Sequence, residues 1–389
     1  MNNNTDNIET VQKTNQEKQS FKKKILNSGI FTPFYTALML IFLFSLLIYF
    51  LCRAITPFAE WMSRYPSQGL RFLFSKITGI LHFSIAEMLL ILLPLIAVLY
   101  LYFAFRYIKH NDTKFFVKCI MPLISFLMVL LILFSLMFAP GYFRYDLAEN
   151  LNLQREAISP AELFDTSKWL SAELDTVIGK IKFNHENASY MDLSYNRLVE
   201  MMNSAFDDFA YKYDFINSFD SNPKPIMLSE PMTYTHISGV YSFFTGEANI
   251  NVNYPDFVIP YTVAHEMAHQ RGIAREDEAN FIAFLVCMES DNAYIKYSGI
   301  VNTLKYILNA LYSADKDLYK EYQKNHSHKE MNGELNAFSD FFKKYENSTA
   351  NKITSATNNS FLQSQGQSAG VKSYNLVVDL AVAYYKSIS

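Results

Sequence analysis

The sequence predicts a mainly α protein: three N-terminal transmembrane helices, then a soluble α+β domain in which a small sheet lies beside one buried helix. Two observations carry this. Three long stretches have no charged residue: between Lys24 and Arg53, between Glu87 and Arg106, and between Lys118 and Arg144. A bilayer crossing needs roughly 20 apolar residues, and a soluble protein rarely supplies three such runs in succession. Beyond them, apolar residues recur at helical spacing except over 245–254, where polar and apolar residues alternate as in a strand. Composition agrees. Half of the 389 residues are apolar, 16% are aromatic and only 18% are charged, below the quarter usual in soluble proteins.

Residues 1–24 are polar and carry Lys13, Lys18, Lys22, Lys23 and Lys24, which reads as a short basic tail. The first apolar run, around Ala37–Phe44, is too long for a signal-peptide core and lacks a clear small-residue cleavage site, so it reads as a retained span. Residues 25–143 are then the transmembrane region. Arg53, Arg64, Arg71 and Lys76 fall in the loop between the first two spans, and Arg106, Lys109, Lys114 and Lys118 in the shorter loop after the second. The tail and the second loop share one side of a three-helix topology and together outnumber the first loop by nine basic residues to four. The positive-inside rule therefore expects a cytoplasmic N-terminus and an extracytoplasmic domain over 144–389. The net charge of −3 offers no electrostatic footprint for nucleic acid. Of the three cysteines, Cys52, Cys119 and Cys287, only the last lies in the soluble part, so no disulfide framework is expected there.

Within the soluble part, Asp146–Lys182 reads as helical, with Trp169, Leu170, Leu174, Val177 and Ile178 at helical spacing. Asn184–Ser189 is a loop, and Tyr195–Tyr211 is again helical, its Met and Phe stripe being core packing. Asn222-Pro223-Lys224-Pro225 breaks the chain. Thr245–Tyr254 alternates as a strand, with Ala248, Ile250, Val252 and Tyr254 on one face and Glu247, Asn249, Asn251 and Asn253 on a polar face. Pro255 and Pro260 end it and open the next helix. Further on, Tyr294–Leu311 reads as a helix, Asp315–His328 as charged and solvated, Phe338–Tyr345 as a short amphipathic helix and Thr354–Gly370 as a flexible loop. Val371–Tyr385 closes the chain, more helix than strand in pattern.

The helix after Pro260 contains His265-Glu266-Met267-Ala268-His269, that is, His-Glu-x-x-His. On a helix, His265 and His269 stand one turn apart on one face, so both imidazoles reach a single metal ion. Glu266 sits beside them, placed to polarise a water at the metal. The neighbouring Val263, Ala264, Met267 and Ala268 are apolar or small. Two histidines and a glutamate in such a helix are costly unless paired or ligating. Gly272 offers a helix C-cap and a turn. A second helix follows over Glu276–Cys287, with Glu276, Ala279, Asn280 and Ala283 on one face and Phe281, Ile282, Leu285 and Val286 covering the core face. Glu276 is the first choice for a third ligand and Glu278 the second. Enrichment of acids in a helix's first turn is the competing explanation for both. Two imidazoles and a carboxylate with an open fourth position suit one Zn2+ per chain.

This arrangement, His-Glu-x-x-His followed by Glu-x-x-Ala-Asn on a second helix, resembles the gluzincin class of zinc metallopeptidases, with His265, His269 and Glu276 as the implied ligands and Glu266 as the implied general base. Six residues separate His269 from Glu276, fewer than in most gluzincins. The Gly272 turn is also similar to that of metzincins, but their third ligand is a histidine and none stands here. The whole layout, with three membrane helices, Thr-Gly-Glu-Ala-Asn over 245–249, His-Glu-x-Ala-His-Gln-x-Gly over 265–272 and Glu-x-Glu-Ala-Asn-Phe over 276–281, is similar to a bacterial membrane family, the domain of unknown function 3810. These resemblances imply a zincin-like soluble domain on a bacterial cell membrane. They imply hydrolysis of a peptide or protein substrate, with the strand before the metal helix taking an extended substrate as an added strand. An ordinary edge strand is the alternative for that segment. Tyr374 and His236 are candidates for stabilising the oxyanion. The competing function is a non-catalytic, zinc-stabilised membrane scaffold, set against by a site with three ligands, an adjacent base and no cysteine cage. A transporter is disfavoured because the spans carry few charges of the kind that mark an ion path.

Overall fold

The computed structural model describes residues 32–109, 116–185, 187–346, 348–367 and 376–389. The basic tail of residues 1–24 lies outside them. The chain divides into two compact units, Met1–Phe50 with Leu89–Ser135 and Leu51–Met88 with Leu136–Ser389.

The first unit is built from α1 (Pro33–Ala54), most of the helix over Ile85–Lys109 and α5 (Met121–Leu133), the last flanked by π-helical turns Phe116–Ile120 and Phe134–Phe138. Among the described residues, three helices, Pro33–Ala54, Ile85–Lys109 and Lys118–Phe138, are long and apolar enough to cross a membrane. Their Leu and Phe side chains point outward: Leu40, Phe44, Leu90, Leu101, Phe105 and Leu127 are all more than half exposed. An outward apolar surface of this length is compatible with burial in lipid.

The second unit begins earlier than the sequence reading placed it. Residues 51–88, expected as a loop between spans, form α2 (Thr56–Arg64) and α3 (Pro66–Gly79), each with a proline in its first turn, and then the start of α4 (Ile85–Lys109). Proline costs nothing at the first turn of a helix, where its missing N–H has no partner to lose. The helices are tied to the rest of the unit by buried charge. Glu60 accepts from Arg144 Nη2 at 2.7 Å and Nε at 2.9 Å, and Arg71 donates to the carbonyls of Met137 and Ser63.

After α6 (Pro140–Phe143) and α7 (Leu147–Asn150), the long helices α8 (Pro160–Ile178) and α9 (Tyr195–Lys212) lead to a small sheet. It consists of β1 (Lys224–Pro225), β2 (Gly239–Ser242) and β3 (Glu247–Ile250), with α10 (Ser229–Thr233) between the first two. The order is β1-β3-β2. β1 runs parallel to β3 with Lys224 opposite Asn249, and β2 runs antiparallel to it, from Gly239 opposite Ile250 to Ser242 opposite Glu247. Two expectations are corrected here. The strand is four residues long rather than ten, and it is the central strand rather than an edge. Its polar face is also buried, with Glu247, Asn249 and Asn251 at most 2% exposed. Most of its groups are partnered, Asn249 Oδ1 being an exception. Glu247 takes Lys224 Nζ at 2.6 Å and the backbone N–H groups of Ile85 and Ala86, and Asn249 donates to the carbonyl of Val240.

The core of the unit is helical: α11 (Val258–Gln270), α12 (Glu276–Glu289) and α13 (Ala293–Ala314). They pack with α8, α9 and, at the C-terminus, α17 through Leu174, Phe206, Phe257, Phe281, Ile300 and Leu380, none more than 1% exposed. α14 (Lys316–Asn325) and α15 (Lys329–Lys343) follow. α16 (Thr349–Ser364) occupies much of the stretch expected as a flexible loop. Its composition is loop-like, but Ser348 caps it by accepting from Asn351 N and Leu362 is fully buried, so local capping and one anchor outweigh the polar bias. α17 (Val377–Ile388) is helical as expected.

Candidate metal centre

α11 is apolar or small over most of its length, and twelve of its thirteen residues are buried. His265 is its one partly open position. A helix surrounded on all sides cannot place a polar group in water, so each polar side chain must find a partner within the protein or in a ligand. Two turn-spaced histidines satisfy this jointly. The rings of His265 and His269 stand 4.6 Å apart, nearly perpendicular. Glu276, the first residue of α12, reaches both: its Oε2 lies 3.2 Å from His265 Nε2 and 3.4 Å from His269 Nε2. Donor atoms of the three side chains all lie within 4.8 Å of one another, close enough to hold one metal ion.

The turn between the helices explains why six residues suffice. Gly272 adopts φ +95°, and its N–H donates to His269 O while Ile273 N donates to Ala268 O. Only glycine takes this conformation without strain. The reversal carries the Ile273 carbonyl back to 2.6 Å from His269 Nδ1. A carbonyl only accepts, so Nδ1 carries the proton and Nε2 is directed to Glu276.

The electrostatics follow from burial. Burial opposes charge on His269, but the Glu276 carboxylate outweighs it and raises the imidazole to about 9. Burial would raise Glu276, and His269 together with His265 instead hold it well below the usual carboxylate range. Glu266 is pushed up, chiefly by burial. Its Oε2 and His265 Nδ1 are buried and have no hydrogen-bond partner among the described residues. Glu266 fits only because residue 239 is glycine: a Cβ there would lie 2.6 Å from Glu266 Oε1. The backbone N–H of Tyr241 on β2 donates to the same carboxylate.

The other sequence candidates separate. Glu278 does not join the histidines; it is 1% exposed, accepts from Leu147 N at 3.0 Å and Arg275 Nη1 at 3.1 Å, and so anchors α7. Tyr374 lies outside the described residues. His236 has φ +58° and does reach the site's neighbourhood, lining a cavity of about 450 Å³ together with His265, but its Nε2 is engaged with Tyr345 O at 3.1 Å.

Three further contributors escaped the sequence reading. Tyr306 lines the same cavity, and burial and then the nearby Glu276 carboxylate raise its hydroxyl to about 12. Phe138 packs edge-on against His269 at 6.0 Å. Tyr142 is 4% exposed, and its hydroxyl is raised by burial and by Glu276. No spacing rule connects residues 138, 142 and 306 to a motif at 265; only an aromatic-rich composition hinted at such a wall.

Residues 62–382 match the family model described as "Protein of unknown function (DUF3810)". No curated protein and no solved structure matches the chain.

Proposed function

The chain belongs to the DUF3810 family, and on that premise we propose that it is a membrane-anchored, zinc-dependent peptidase whose domain over 144–389 acts outside the cytoplasm. The observation that carries this reading is one juxtaposition. A carboxylate oxygen of Glu276 stands 3.2 and 3.4 Å from two imidazole nitrogens, while Glu266 Oε2 is buried beside them without a partner. Two imidazoles and one carboxylate are a zinc donor set that leaves a coordination position free. A purely structural zinc site would give no reason to bury a carboxylate oxygen without a partner next to it.

His265, His269 and Glu276 would hold the ion. Bound there, zinc supplies a Lewis acid that polarises a carbonyl and makes water a nucleophile near neutral pH. Glu266 is the general base: its free Oε2 takes a proton from water and passes it to the leaving amine. Burial raises its affinity for that proton, which suits a group that must hold it between the two transfers. Tyr306 lines the cavity beside His265, and its hydroxyl is the group there that would donate to the carbonyl oxygen as it gains charge. β2 has one unpaired edge, and its Tyr241 N–H already meets Glu266. An extended peptide added along that edge would run past the base, main chain to main chain. This moves the substrate-binding role from β3, paired on both sides, to β2.

The test is Glu266→Gln in the full chain. Zinc should remain at one per chain while peptide turnover falls by about a thousandfold, within the 10²–10⁴ range for a lost acid–base group. Undiminished zinc-dependent turnover would overturn the assignment.

A further inference from the structure

The cavity beside His265 carries a feature the hydrolytic reading does not use. Lys305, on α13, lines it together with Asn280, Asn302 and Tyr306. Its ammonium sits 4.4 Å from the centroid of the Phe338 ring and 5.9 Å from that of Tyr306. Among the described residues no carboxylate pairs with it, and the one acid on the cavity wall, Glu346, is exposed at the rim. Burial depresses the ammonium to about 8, the mark of a cation short of counter-charge. Asn280 is 4% exposed, and its Nδ2 is a buried donor with no partner. Two donors without acceptors thus border one cavity that opens on a candidate metal-ligating histidine.

We propose that this cavity is a carboxylate subsite: Lys305 as counter-ion and Asn280 as hydrogen-bond donor receive an anionic group of the peptide next to the scissile bond. This rests on the peptidase reading for its use but not for its binding. Phe338, Phe342 and Tyr254 supply an apolar wall for the stem that bears the carboxylate. The source is either a free C-terminus or an Asp or Glu side chain.

The test needs no turnover. The full chain in lipid nanodiscs is treated with a small imidoester, and amidination of Lys305 is followed by mass spectrometry. Four protecting peptides are compared: one with a free C-terminus, its C-terminal amide, a blocked peptide with internal Glu, and its Gln isostere. Protection by an acid and not by its neutral partner supports the subsite, and the pair that discriminates names the source. Equal protection by acid and neutral peptides, or by none, overturns it. In turnover, the acid should exceed its neutral partner in kcat/KM by roughly thirtyfold, and Lys305→Met should collapse that ratio. Selective protection without cleavage would sink the peptidase reading and leave the subsite standing.

A second inference rests on α2 and α3. Their polarity is inverted. Ser63, Ser67, Gln68, Arg71, Ser75 and Thr78 are buried, while Trp61, Tyr65, Phe72, Leu73, Ile77 and Ile80 are between 43% and 76% exposed. A water-facing helix shows the opposite pattern. The chain runs directly into these helices from one candidate span, and into another a few residues after them. We infer that α2 and α3 lie in the interfacial layer of the bilayer with their apolar faces in lipid. Their polar inner faces meet the end of the metal helix, where Gln270 Nε2 donates to Ser75 Oγ at 3.0 Å. The candidate site would then stand about one helix diameter, roughly 10 Å, from lipid.

Two tryptophans, Trp61 and Trp169, make this measurable. In Trp169→Phe vesicles, bromine-labelled acyl chains should quench Trp61 strongly and aqueous iodide weakly. Quenching by iodide and not by brominated lipid would overturn the inference. If Trp169→Phe does not fold, the difference between wild type and Trp61→Phe gives the same readout.

Discussion

The carbonyl oxygen of Ile273 lies 2.6 Å from Nδ1 of His269, and the turn that brings it there depends on Gly272. The glycine has φ +95°, and a Cβ at that position would stand 2.4 Å from Arg71 Nη2. Gly272→Ala should therefore cost about 2 kcal/mol or more, since a non-glycine residue in this region costs 1–3 kcal/mol before the clash is added. A lower melting temperature together with weaker zinc retention is expected. Unchanged zinc affinity would show that the carbonyl does not orient the imidazole.

Glu276 and Glu278 are two residues apart but belong to different networks. Glu276→Ala should abolish zinc binding, as should His265→Ala and His269→Ala. Glu278→Ala should keep one zinc per chain while lowering stability, because Leu147 N loses its side-chain acceptor and Arg275 one of several. Metal content by mass spectrometry, read beside a thermal melt, separates the two. Loss of zinc in Glu278→Ala alone would reverse the ligand assignment.

Gly239 is the space that Glu266 occupies. Gly239→Ala puts a methyl group 2.6 Å from Glu266 Oε1 and 2.8 Å from Thr262 Cγ2. The base must shift while His265, His269 and Glu276 stay. Turnover should fall by about a hundredfold, as misplacement of a catalytic group by an ångström does, with zinc content intact.

The Glu60–Arg144 pair predicts a pH dependence of stability. Burial would raise the Glu60 carboxyl, but Arg144 and Arg64 outweigh it and hold it below its usual value. A depressed carboxyl contributes stability above the unfolded value, about 4.3, and loses it as pH falls through the lower folded value. Glu60→Gln leaves the 3%-exposed Arg144 without its counter-ion and should cost about 3 kcal/mol at pH 7. The gap to wild type in thermal melts should shrink as pH drops below about 4. A constant gap across that range would refute the ion pair as its source.

Much of the candidate centre was legible in the sequence because it is local. Three residues between two histidines, and a Gly272 turn before Glu276, are distances that a helix and a reverse turn convert directly into proximity. The three apolar helices were legible for the same reason: length and the absence of charge are local properties. The failures are equally physical. Alternation over 247–253 reveals which residues share a face and not what covers that face. Lys224 and the N–H groups of Ile85 and Ala86 cover part of it. α2 and α3 escape a local pattern because their polar residues, Arg71 among them, face inward.

By itself, then, the sequence determined the long apolar helices, the histidine pair and the glutamates within reach of it, since each depends on a pattern along one stretch of chain. Only the tertiary structure decided which glutamate meets the histidines, that β2 rather than β3 offers a free edge, and that Phe138, Tyr142, Lys305 and Tyr306 gather around the centre. Those choices depend on contacts between segments more than a hundred residues apart in places, and on what each polar group finds when water is removed. No local pattern encodes either.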